Sequence, residues 1–449
     1  MSDNIDFANI VLAINYSIFH IQYSITFIMK KALILGKGIS GEGASAALKS
    51  LGYQTRIFDD SEKTPLPKLT GISLVILSPG VPPSHPIAES ARQKKIDIMG
   101  ELELGYRLCR CPIVAITGTN GKTTVTNLLH RILANRGLKT DAVGNVGKSL
   151  AGVSVKSDTY DVLVCETSSF QLETISSFAP EIAMITNISP DHLDRHGTMD
   201  EYAQVKLKIA QNQTEKNFLI LSMDDIPVKY LEGFSPRSHV LFVSTNRVVA
   251  GAYLLEDKLY YFDEFICDRS SLRLKGNHNV SNALFAIAGA RILGVDRAVI
   301  AETLADFEPD AHRLQFIGTY GGKRYYDDSK GTNINACLKA CESMQGDTAL
   351  ILGGSDKGYN FERLFEELPK HITYITAIGE TAEAIKTAGA KYARDVIVCE
   401  SMEEAVECCA ESETQNVLLS PATASYDMFK DYKERGRIFA GIVKALTAN

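Results

Sequence analysis

Short apolar runs alternate with longer amphipathic stretches along most of the chain. Lys31–Leu35, Arg56–Phe58 and Leu74–Leu77 are runs of this kind, and a helical stretch through Leu51 separates the first two. Short continuous apolar runs are typical of strands that are buried on both faces of a parallel sheet. The alternation therefore predicts an α/β protein built on parallel sheets.

The same alternation continues through the middle and the last third of the chain. Ile113–Ile116, Asp161–Cys165 and Ile182–Thr186 are predicted strands, and Thr123–Ala134 is the helix that follows the first of them. In the last third, a strand-to-helix turn at 325–333 precedes two further predicted strands, Ala349–Leu352 and Val417–Leu419. We predict three domains: a Rossmann-like one at 29–110, a central P-loop NTPase-like parallel sheet at 111–309, and a second Rossmann-like one at 310–449.

The residues before 29 follow a different pattern. Their apolar stretch is interrupted by Asn15, His20 and Gln22, and it follows Asp3 and Asp6 where a secretory signal carries basic residues. The stretch is near the lower length limit for spanning a bilayer, so we expect no stable membrane insertion. We interpret residues 1–28 as an extension upstream of a natural start at residue 29, with a weak membrane-associating helix as the alternative.

A Gly-rich loop joins the strand at Ile113 to the next helix and predicts a nucleotide-triphosphate site. The loop reads Thr-Gly-Thr-Asn-Gly-Lys-Thr-Thr over residues 117–124, and it departs from the common phosphate-loop pattern only at the position of that pattern's first glycine. Such a loop directs backbone N–H groups and the helix dipole at a phosphate. Lys122 can reach β- and γ-phosphate oxygens, and the Thr123 hydroxyl can bind Mg²⁺. The alternative is a Gly-rich turn that caps a buried helix.

Composition and charge narrow the function classes. The 449 residues are 45% hydrophobic and 22% charged, with a net charge of −7, which argues against a general nucleic-acid binder. Nine cysteines are scattered without a C-x-x-C pair. This pattern indicates a reduced, cytoplasmic chain.

A second Gly-rich turn follows the first predicted strand. Gly36, Gly38 and Gly41 open a helix, and Asp59 lies about twenty residues further on. This spacing is similar to a dinucleotide-binding fingerprint. It fits NAD or the diphosphate of another nucleotide.

Polar residues after the central strands predict a metal site. Glu166 and His192 follow two predicted strands, and open parallel sheets bind ligands beyond those strand ends. Taken singly, Glu166 could cap a helix and His192 could be a loop histidine. Together with Thr123 they are interpreted as Mg²⁺ ligands, and the imidazole indicates that Mn²⁺ is tolerated. From its pattern alone, Lys206 is interpreted as a solvated lysine on an amphipathic helix that it shares with Tyr202.

Taken together, these motifs resemble the Mur ligase family across residues 29–449. The residues that carry the resemblance are Gly36–Gly41, Thr117–Thr123, Glu166–Gln171, Asp191–Arg195, Tyr202 with Lys206, Gly276–Asn282, His312 with Arg313, Asp328–Asn333 and Ser420–Asp427. Two mild departures are Gly331, where the family often has alanine, and Tyr432, where it often has phenylalanine. The turn at Ser420–Asp427 is similar to that of the member that adds D-glutamate.

The resemblance implies a reaction and its participants. The expected activity is ATP-dependent addition of D-glutamate to UDP-MurNAc-L-Ala through an acyl phosphate, by a monomer. The resemblance implies a UDP-binding first domain, an ATP-binding central domain and an amino-acid-binding third domain. It also implies that Lys206 is carbamylated, which converts a cation into an anionic group able to meet a second Mg²⁺. The alternatives are another Mur or folylpolyglutamate-type amide ligase, or a P-loop nucleotide switch without catalysis.

The resemblance also implies a role for individual residues. The implied catalytic residues are Lys122, His192, Lys206 and Lys330. The implied metal ligands are Thr123, Glu166, His192 and Lys206. The implied ATP-binding residues are Gly118, Thr119, Asn120, Gly121, Lys122, Thr123, Thr124, Asn279, Asn282, Arg313, Asp328 and Lys330. The uridine diphosphate would contact Ile39, Ser40, Asp59, Asp60 and Gly80; the rest of that substrate Asn145, Ser168 and Arg195; and D-glutamate Thr332, Lys357, Ser425, Tyr426 and Tyr432.

Overall fold

A computed structural model describes residues 30–62, 64–274, 276–308, 311–356 and 358–446, with the backbone alone for Asp194. The predicted extension at 1–28 and Lys357, a predicted D-glutamate contact, lie outside the described residues. The strands are β1 (Lys31–Leu35), β2 (Gln54–Phe58), β3 (Ile72–Leu77), β4 (Asp97–Gly100), β5 (Ile113–Thr117), β6 (Thr140–Gly144), β7 (Val162–Glu166), β8 (Ile182–Ile185), β9 (Phe218–Ser222), β10 (His239–Ser244), β11 (Gly251–Leu255), β12 (Lys258–Tyr261), β13 (Glu264–Asp268), β14 (Gln315–Tyr320), β15 (Lys323–Asp327), β16 (Thr348–Gly353), β17 (Ile372–Ile378), β18 (Ile397–Val398) and β19 (Asn416–Leu419).

The helices connect these strands and supply the other layers of the fold. They are α1 (Ile39–Ser50), α2 (Pro86–Gln93), α3 (Glu101–Leu108), α4 (Lys122–Asn135), α5 (Leu150–Ser154), α6 (Ser169–Leu172), α7 (Leu193–His196), α8 (Met199–Leu207), α9 (Asn277–Ile292), α10 (Arg297–Asp306), α11 (Ile334–Glu342), α12 (Glu362–Glu367), α13 (Ala382–Lys391), α14 (Met402–Glu411) and α15 (Tyr432–Ala445). In the described part of the chain, no helix is both long and apolar enough to cross a bilayer.

The first sheet is parallel and buried on both faces. Its strand order is β2-β1-β3-β4. Ala32 and Ile34 of β1 pack in one apolar cluster with residues of α1, and Leu33 and Leu35 pack in a second cluster with residues of α2. Alternate side chains of one strand therefore enter two cores, which explains why β1 is a continuous apolar run.

The second sheet has nine strands in the order β13-β12-β11-β10-β9-β8-β5-β7-β6. Neighbouring strands from β6 to β11 are parallel, with β5 fully buried near the middle. The prediction of a parallel central sheet holds for these strands and is wrong at one edge, where β12 pairs antiparallel with both β11 and β13. Glu256 and Asp257 form the two-residue turn between β11 and β12, with φ of 49° and 56°. Positive φ at both positions matches the twist of a tight hairpin.

The third sheet has the order β14-β15-β19-β16-β17-β18, and all pairs are parallel except β14 with β15. Leu350 and Leu352 of β16 pack in one apolar cluster, and Ala349 and Ile351 pack in the other. Helices thus cover both faces, as predicted for a Rossmann-like sheet, and the antiparallel β14 adds a hairpin at the edge.

The described residues divide into two compact units. The first contains the four-stranded and nine-stranded sheets and consists of the chain up to Ile188, Asp200–Arg273 and Asn279–Phe307. The second contains the six-stranded sheet and consists of Ser189–Met199, Leu274–His278 and the chain from Glu308 onward. In the first unit, Glu103 of α3 accepts backbone N–H bonds from Ser176, Ser177 and Phe178, which joins the two sheets of that unit.

Candidate active site

The phosphate loop follows β5 and leads directly into α4. Gly121 is the residue before the helix and has a left-handed φ of 83°, and a Cβ there would meet Asn282 Oδ1 at 2.3 Å. Only glycine fits this position without strain. Asn120 N–H donates to Asn187 Oδ1 at 2.9 Å, and the Thr119 hydroxyl lies 3.2 Å from the Tyr202 hydroxyl. The loop is therefore held by side chains from three other segments of the same unit.

Two lysines converge on this loop. Lys122 Nζ donates to the carbonyls of Gly118 at 2.9 Å and Thr119 at 2.7 Å. Lys206 Nζ donates to the same Gly118 carbonyl at 2.7 Å. Two ammonium groups beside one carbonyl concentrate positive charge at the end of a helix that already favours anions.

Lys206 is not the solvated lysine that its helical pattern predicts. Its relative exposure is 1%, and its Nζ lies 4.5 Å from the centre of the Tyr202 ring. The contacts with Tyr202 and Gly118 stabilise the ammonium group in this position. A buried lysine of this kind is unusual, because its charge must be paired or hydrogen-bonded.

Glu166 is the last residue of β7, adjacent to β5 in the sheet. Its relative exposure is 3%, and its Oε1 accepts a hydrogen bond from Asn145 Nδ2 at 2.8 Å. Its Oε2 is buried without a hydrogen-bond partner in the described residues. A buried carboxylate oxygen without a partner is costly, and a bound cation would remove that cost.

Five further predicted residues of the first unit lie in helices or cap them. Asn282 Nδ2 donates to Asn279 Oδ1 at 3.1 Å on α9, and both side chains are buried. Ser168 caps α6: its hydroxyl accepts from Gln171 N–H while Gln171 Oε1 accepts from Ser168 N–H. Thr123 and Thr124 are buried in the first turn of α4.

The residues predicted to bind uridine diphosphate meet at the carboxyl ends of β1, β2 and β3. Asp59 Oδ2 accepts the N–H of Lys37 at 2.9 Å, and the Asp60 carboxylate lies 3.2 Å from His85 Nε2. The Ser61 hydroxyl and the Lys37 N–H that donate to Asp59 hold its pKa below the usual range. Of the other predicted contacts, Ile39 and Ser40 begin the helix that follows β1, and Gly80 lies in the loop after β3.

His192 belongs to the second unit, whereas Glu166 belongs to the first. It has a left-handed φ of 53° and precedes α7, whose Arg195 N–H donates to the His192 carbonyl. A non-glycine residue with positive φ is uncommon and is found disproportionately at functional sites. The predicted set of metal ligands is thus divided between two compact units.

Asp191 was not predicted as a site residue, although it stands in the motif that contains His192. Its Oδ1 accepts the Tyr359 hydroxyl at 3.0 Å, and its Oδ2 lies 3.4 Å from Asn333 Nδ2. The contact with Asn333 ties the His192 turn to the start of α11, and the contact with Tyr359 ties it to the loop before α12. No group of three or more His, Cys, Asp or Glu side chains able to hold a metal is present in the described ranges.

Asp328 is buried in the loop after β15. Its Oδ2 accepts the Ser420 hydroxyl at 2.7 Å and its Oδ1 accepts the Leu314 N–H at 3.2 Å. Burial raises the pKa of Asp328 to about 7. Arg313 contributes favourable charge to this carboxylate, while its own Nε is buried without a hydrogen-bond partner in the described part of the second unit.

The remaining predicted residues follow β15 and β19, which are adjacent in the six-stranded sheet. Lys330 Nζ lies 5.6 Å from the centre of the Tyr432 ring, and Thr332 N–H donates to the Lys330 carbonyl. Ser425 is buried, whereas Tyr426 is 76% exposed. The structure therefore brings Lys330, Thr332 and Tyr432 to the same end of the sheet as Ser425, in agreement with their strand positions.

Two models of protein families match the chain. The Mur ligase middle domain matches residues 116–290, and the Mur ligase glutamate ligase domain matches residues 312–422.

Curated relatives match over nearly the full length. A protein of Thermoanaerobacter pseudethanolicus is 38% identical over 93% of this chain and 98% of its own length. A protein of Lachnoclostridium phytofermentans is 36% identical over 94% of this chain and 99% of its own length. A protein of Streptococcus uberis is 37% identical over 92% of this chain and 96% of its own length. All three are named UDP-N-acetylmuramoylalanine--D-glutamate ligase.

Solved structures share the fold at low identity. The UDP-N-acetylmuramate-alanine ligase MurC of Thermotoga maritima has a TM-score of 0.59 at 18% identity, covering 93% of this chain and 99% of that one. A pseudomurein peptide ligase type C of Methanothermus fervidus has a TM-score of 0.60 at 18% identity, with 92% and 100% covered. These similarities show the fold alone.

Proposed function

The chain belongs to the Mur ligase family, and on this premise we propose that it joins D-glutamate to UDP-N-acetylmuramoyl-L-alanine while ATP is converted to ADP and phosphate. The observation that carries the proposal is the name shared by relatives that are 36% to 38% identical over almost the whole chain. The product is a precursor of peptidoglycan. We place the reaction in the cytoplasm and expect a monomer.

Three domains would divide the substrates among them. The uridine diphosphate would bind at 29–110, ATP at 111–309 and D-glutamate at 310–449. Support for this division comes from the three separate sheets, each with polar loops at the carboxyl ends of its parallel strands, where α/β proteins bind ligands.

In the first step, a carboxylate oxygen of the L-alanyl group attacks the γ-phosphorus of ATP, and ADP leaves. The product is an acyl phosphate. The protein positions the reactants and balances charge, since phosphoryl transfer needs little covalent help. Lys122 would neutralise the β- and γ-phosphates, with the loop N–H groups around it; its folded-back position on Gly118 and Thr119 supports this role.

In the second step, the amine of D-glutamate attacks the acyl carbon, loses a proton, and phosphate leaves. The amine must be uncharged to attack. Lys330, Thr332 and Ser425 would position the amino acid at the end of the six-stranded sheet, together with Lys357, Tyr426 and Tyr432. The two carboxylates of D-glutamate would pair with the lysines and with N–H groups of these loops.

Mg²⁺, with Mn²⁺ as an alternative, would be held by the Thr123 hydroxyl and the Glu166 carboxylate, with His192 and a carbamate on Lys206 for a second ion. The buried Glu166 Oε2 without a partner in the described residues supports Glu166 as a ligand. When bound, the metal neutralises charge on the phosphate oxygens.

The decisive experiment measures phosphate release from ATP by the purified chain with UDP-MurNAc-L-Ala and Mg²⁺. D-glutamate, L-glutamate, a diamino acid or no amino acid is added in parallel. Among these additions, we expect only D-glutamate to give rapid phosphate release and a nucleotide product enlarged by one glutamyl group. Product formation with the diamino acid or L-glutamate would point to another amide ligase. Nucleotide hydrolysis that ignores every amino acid would contradict the proposal.

A further inference from the structure

Arg435 of α15 is a charged side chain that is completely buried. Its relative exposure is 0%, and it is the largest fully buried side chain of the described residues. Burial lowers the pKa of its guanidinium to about 10, so the group stays charged at neutral pH. A buried charge persists only when hydrogen bonds compensate for the lost hydration.

Each hydrogen-bond donor of this guanidinium has a partner. Nε donates to the Ser329 hydroxyl at 3.0 Å, and Nη2 donates to the carbonyls of Ser329 at 2.9 Å and Thr423 at 3.1 Å. Nη1 donates to the carbonyls of Ala424 at 3.1 Å and Gly353 at 3.4 Å. Arginine offers five N–H donors in a rigid fork, and all five are used.

The acceptors belong to three different loops. Ser329 follows β15, Thr423 and Ala424 follow β19, and Gly353 ends β16; these three strands are consecutive neighbours in the sheet. A Cβ on Gly354, which has a φ of 142°, would lie 3.0 Å from Arg435 Nη1 and 2.1 Å from the Ala424 carbonyl. The loops thus approach the guanidinium closely, and one side chain fixes the spacing of three strand ends.

Oxygen atoms of the backbone and one hydroxyl accept all of these bonds, and no carboxylate does. Asp327, Asp328 and Asp427 act on Arg435 only through longer-range charge. The positive charge is therefore not cancelled by a direct ion pair, and it lies beneath loops that would receive an anionic amino acid.

We propose that Arg435 is a positioning residue, whose bonds to the three loops set the distance between Lys330 and Thr332 on one side and Ser425 on the other, and thereby the affinity for D-glutamate. The proposal rests on the proposed function. Lysine at this position would keep the charge but not the fork, because three donors on one nitrogen cannot reach carbonyls on three loops.

The test is the variant Arg435→Lys, with Arg437→Lys as the matched control. Arg437 lies on the exposed side of the same helix and, among the described residues, donates only to the carbonyl of Lys433. We expect Arg435→Lys to raise the KM for D-glutamate and to lower kcat, so that kcat/KM for D-glutamate falls by at least about tenfold. The KM for UDP-MurNAc-L-Ala should stay within about twofold of the wild-type value. A purely structural role would shift both KM values alike or lower only the thermal midpoint.

A second variant keeps the proposal falsifiable if Arg435→Lys does not fold. Ser329→Ala removes the acceptor of Nε and leaves the Ser329 carbonyl in place, so it should raise the KM for D-glutamate in the same direction by a smaller factor. The Ser329 hydroxyl also donates to the Tyr432 carbonyl at 2.8 Å. In the double variant, the part of the Ser329→Ala effect that acts through Arg435 should therefore disappear, and only the part that comes from the lost bond to Tyr432 should remain. Unchanged D-glutamate kinetics in a folded Arg435→Lys variant would overturn the proposal, and if that variant does not fold, unchanged D-glutamate kinetics in Ser329→Ala would overturn it. If wild type and Arg437→Lys do not use D-glutamate at all, the proposed function fails instead.

An independent observation concerns two cysteines between α3 and β5. Cys109 Sγ lies 3.6 Å from Cys111 Sγ and 3.4 Å from the Cys111 carbonyl, and both residues are partly exposed. Of the other free cysteines, Cys408 alone shares this partial exposure, and the rest are buried. Two thiols this close to each other and to solvent form a potential redox pair.

We propose that Cys109 and Cys111 form an intramolecular disulfide on reaction with a low-molecular-weight disulfide. The Cys109 thiolate attacks one sulfur of that reagent and releases one thiol; Cys111 then loses its proton, attacks the Cys109 sulfur and releases the second. Two protein thiols are oxidised and one small disulfide is reduced to two thiols. The hydrogen bond from the Cys111 thiol lowers the pKa of Cys109, which favours the first attack.

The test treats the purified full chain with oxidised glutathione and maps its tryptic peptides. Trypsin cleaves after Arg110, between the two cysteines, so oxidation should keep Leu108–Arg110 attached to Cys111–Lys122 until a reductant is added. Cys408→Ser should behave as wild type, and Cys111→Ser should stop at a stable glutathione adduct on Cys109. Modification of Cys408 in preference to Cys109, or a lasting adduct on both Cys109 and Cys111, would overturn the proposal.

Discussion

Among single residues, Lys206 is the one whose environment differs most from its sequence pattern. Because its Nζ is buried beside the Gly118 carbonyl, we expect Lys206→Ala to lower turnover more than about tenfold. If a carbamate is the working group, added short carboxylic acids should restore part of the activity, since they can occupy the vacated anionic position. Lys208→Ala, on a half-buried neighbour, is the control. Wild-type turnover without an added acid would contradict the role.

Glu166 permits a separate test of metal binding. Glutamine at this position keeps the acceptor for Asn145 but removes the negative charge. Glu166→Gln should therefore raise the Mg²⁺ concentration that gives half-maximal turnover and lower turnover by more than about tenfold. Turnover is measured over a range of Mg²⁺ concentrations. Normal turnover at saturating Mg²⁺ would exclude Glu166 as an essential ligand. Glu173→Gln, on a half-buried residue beyond α6, provides the control.

Glu101 makes a prediction about stability and pH. Burial raises its pKa from 4.5 to about 7. Between these values the unfolded chain has released the proton that the folded chain retains, so stability falls as pH rises through this window, by about 3 kcal/mol at most. Glu101→Gln keeps the acceptor for the Ala151 N–H and does not titrate. The thermal midpoint of the variant should therefore gain on wild type between pH 5 and pH 8, and a constant difference would refute the assignment.

At the scale of elements, the strands that deliver the site loops were predictable. The predicted Ile113–Ile116 is observed as Ile113–Thr117, and Ala349–Leu352 as Thr348–Gly353, because a strand buried on both faces is a continuous apolar run. The β11–β12 hairpin was not predicted, since its turn is Glu256-Asp257 and lacks the usual Asn-Gly signal.

The site was predictable only as far as its motifs are local. The phosphate loop is one segment, so its residues could be named from sequence. The burial of Lys206 depends on Gly118, 88 positions away, and the five bonds of Arg435 depend on loops after three strands. Contacts between distant segments follow from strand order, and helical periodicity alone does not contain that order.

The β11–β12 turn offers a prediction about stability. Glu256 and Asp257 both have positive φ, which disfavours residues with a Cβ. Replacing the pair by Asn-Gly should raise the free energy of unfolding by about 1 kcal/mol without changing turnover. Chemical denaturation measures the change. Asp263→Gly in the following turn is the control, since Asp263 does not have positive φ and glycine there should destabilise. A loss of stability in the Asn-Gly variant would contradict the hairpin geometry.

At the scale of the whole molecule, the proposed chemistry is divided between the two compact units, and this division can be measured. Lys122 belongs to the first unit and would act in acyl phosphate formation, before D-glutamate is needed. Lys357 lies in the chain segment of the amino-acid domain and would pair with a D-glutamate carboxylate. We expect Lys122→Ala to abolish acyl phosphate formation. The acyl phosphate is measured by trapping it chemically in reactions that contain no D-glutamate.

Lys357→Ala should leave the trapped acyl phosphate near the wild-type amount while it raises the KM for D-glutamate by about tenfold or more, the scale of one lost charge-assisted hydrogen bond. Lys370→Ala, a substitution of an exposed lysine between α12 and β17, serves as the control and should change neither measurement. The two variants then fail at different steps because they hold different reactants. If Lys357→Ala abolished acyl phosphate formation and kept the KM for D-glutamate, Lys357 would act at the nucleotide site. The proposed D-glutamate site would then lack the lysine that pairs with a carboxylate of the amino acid, and the assignment of D-glutamate to the third domain would be weakened.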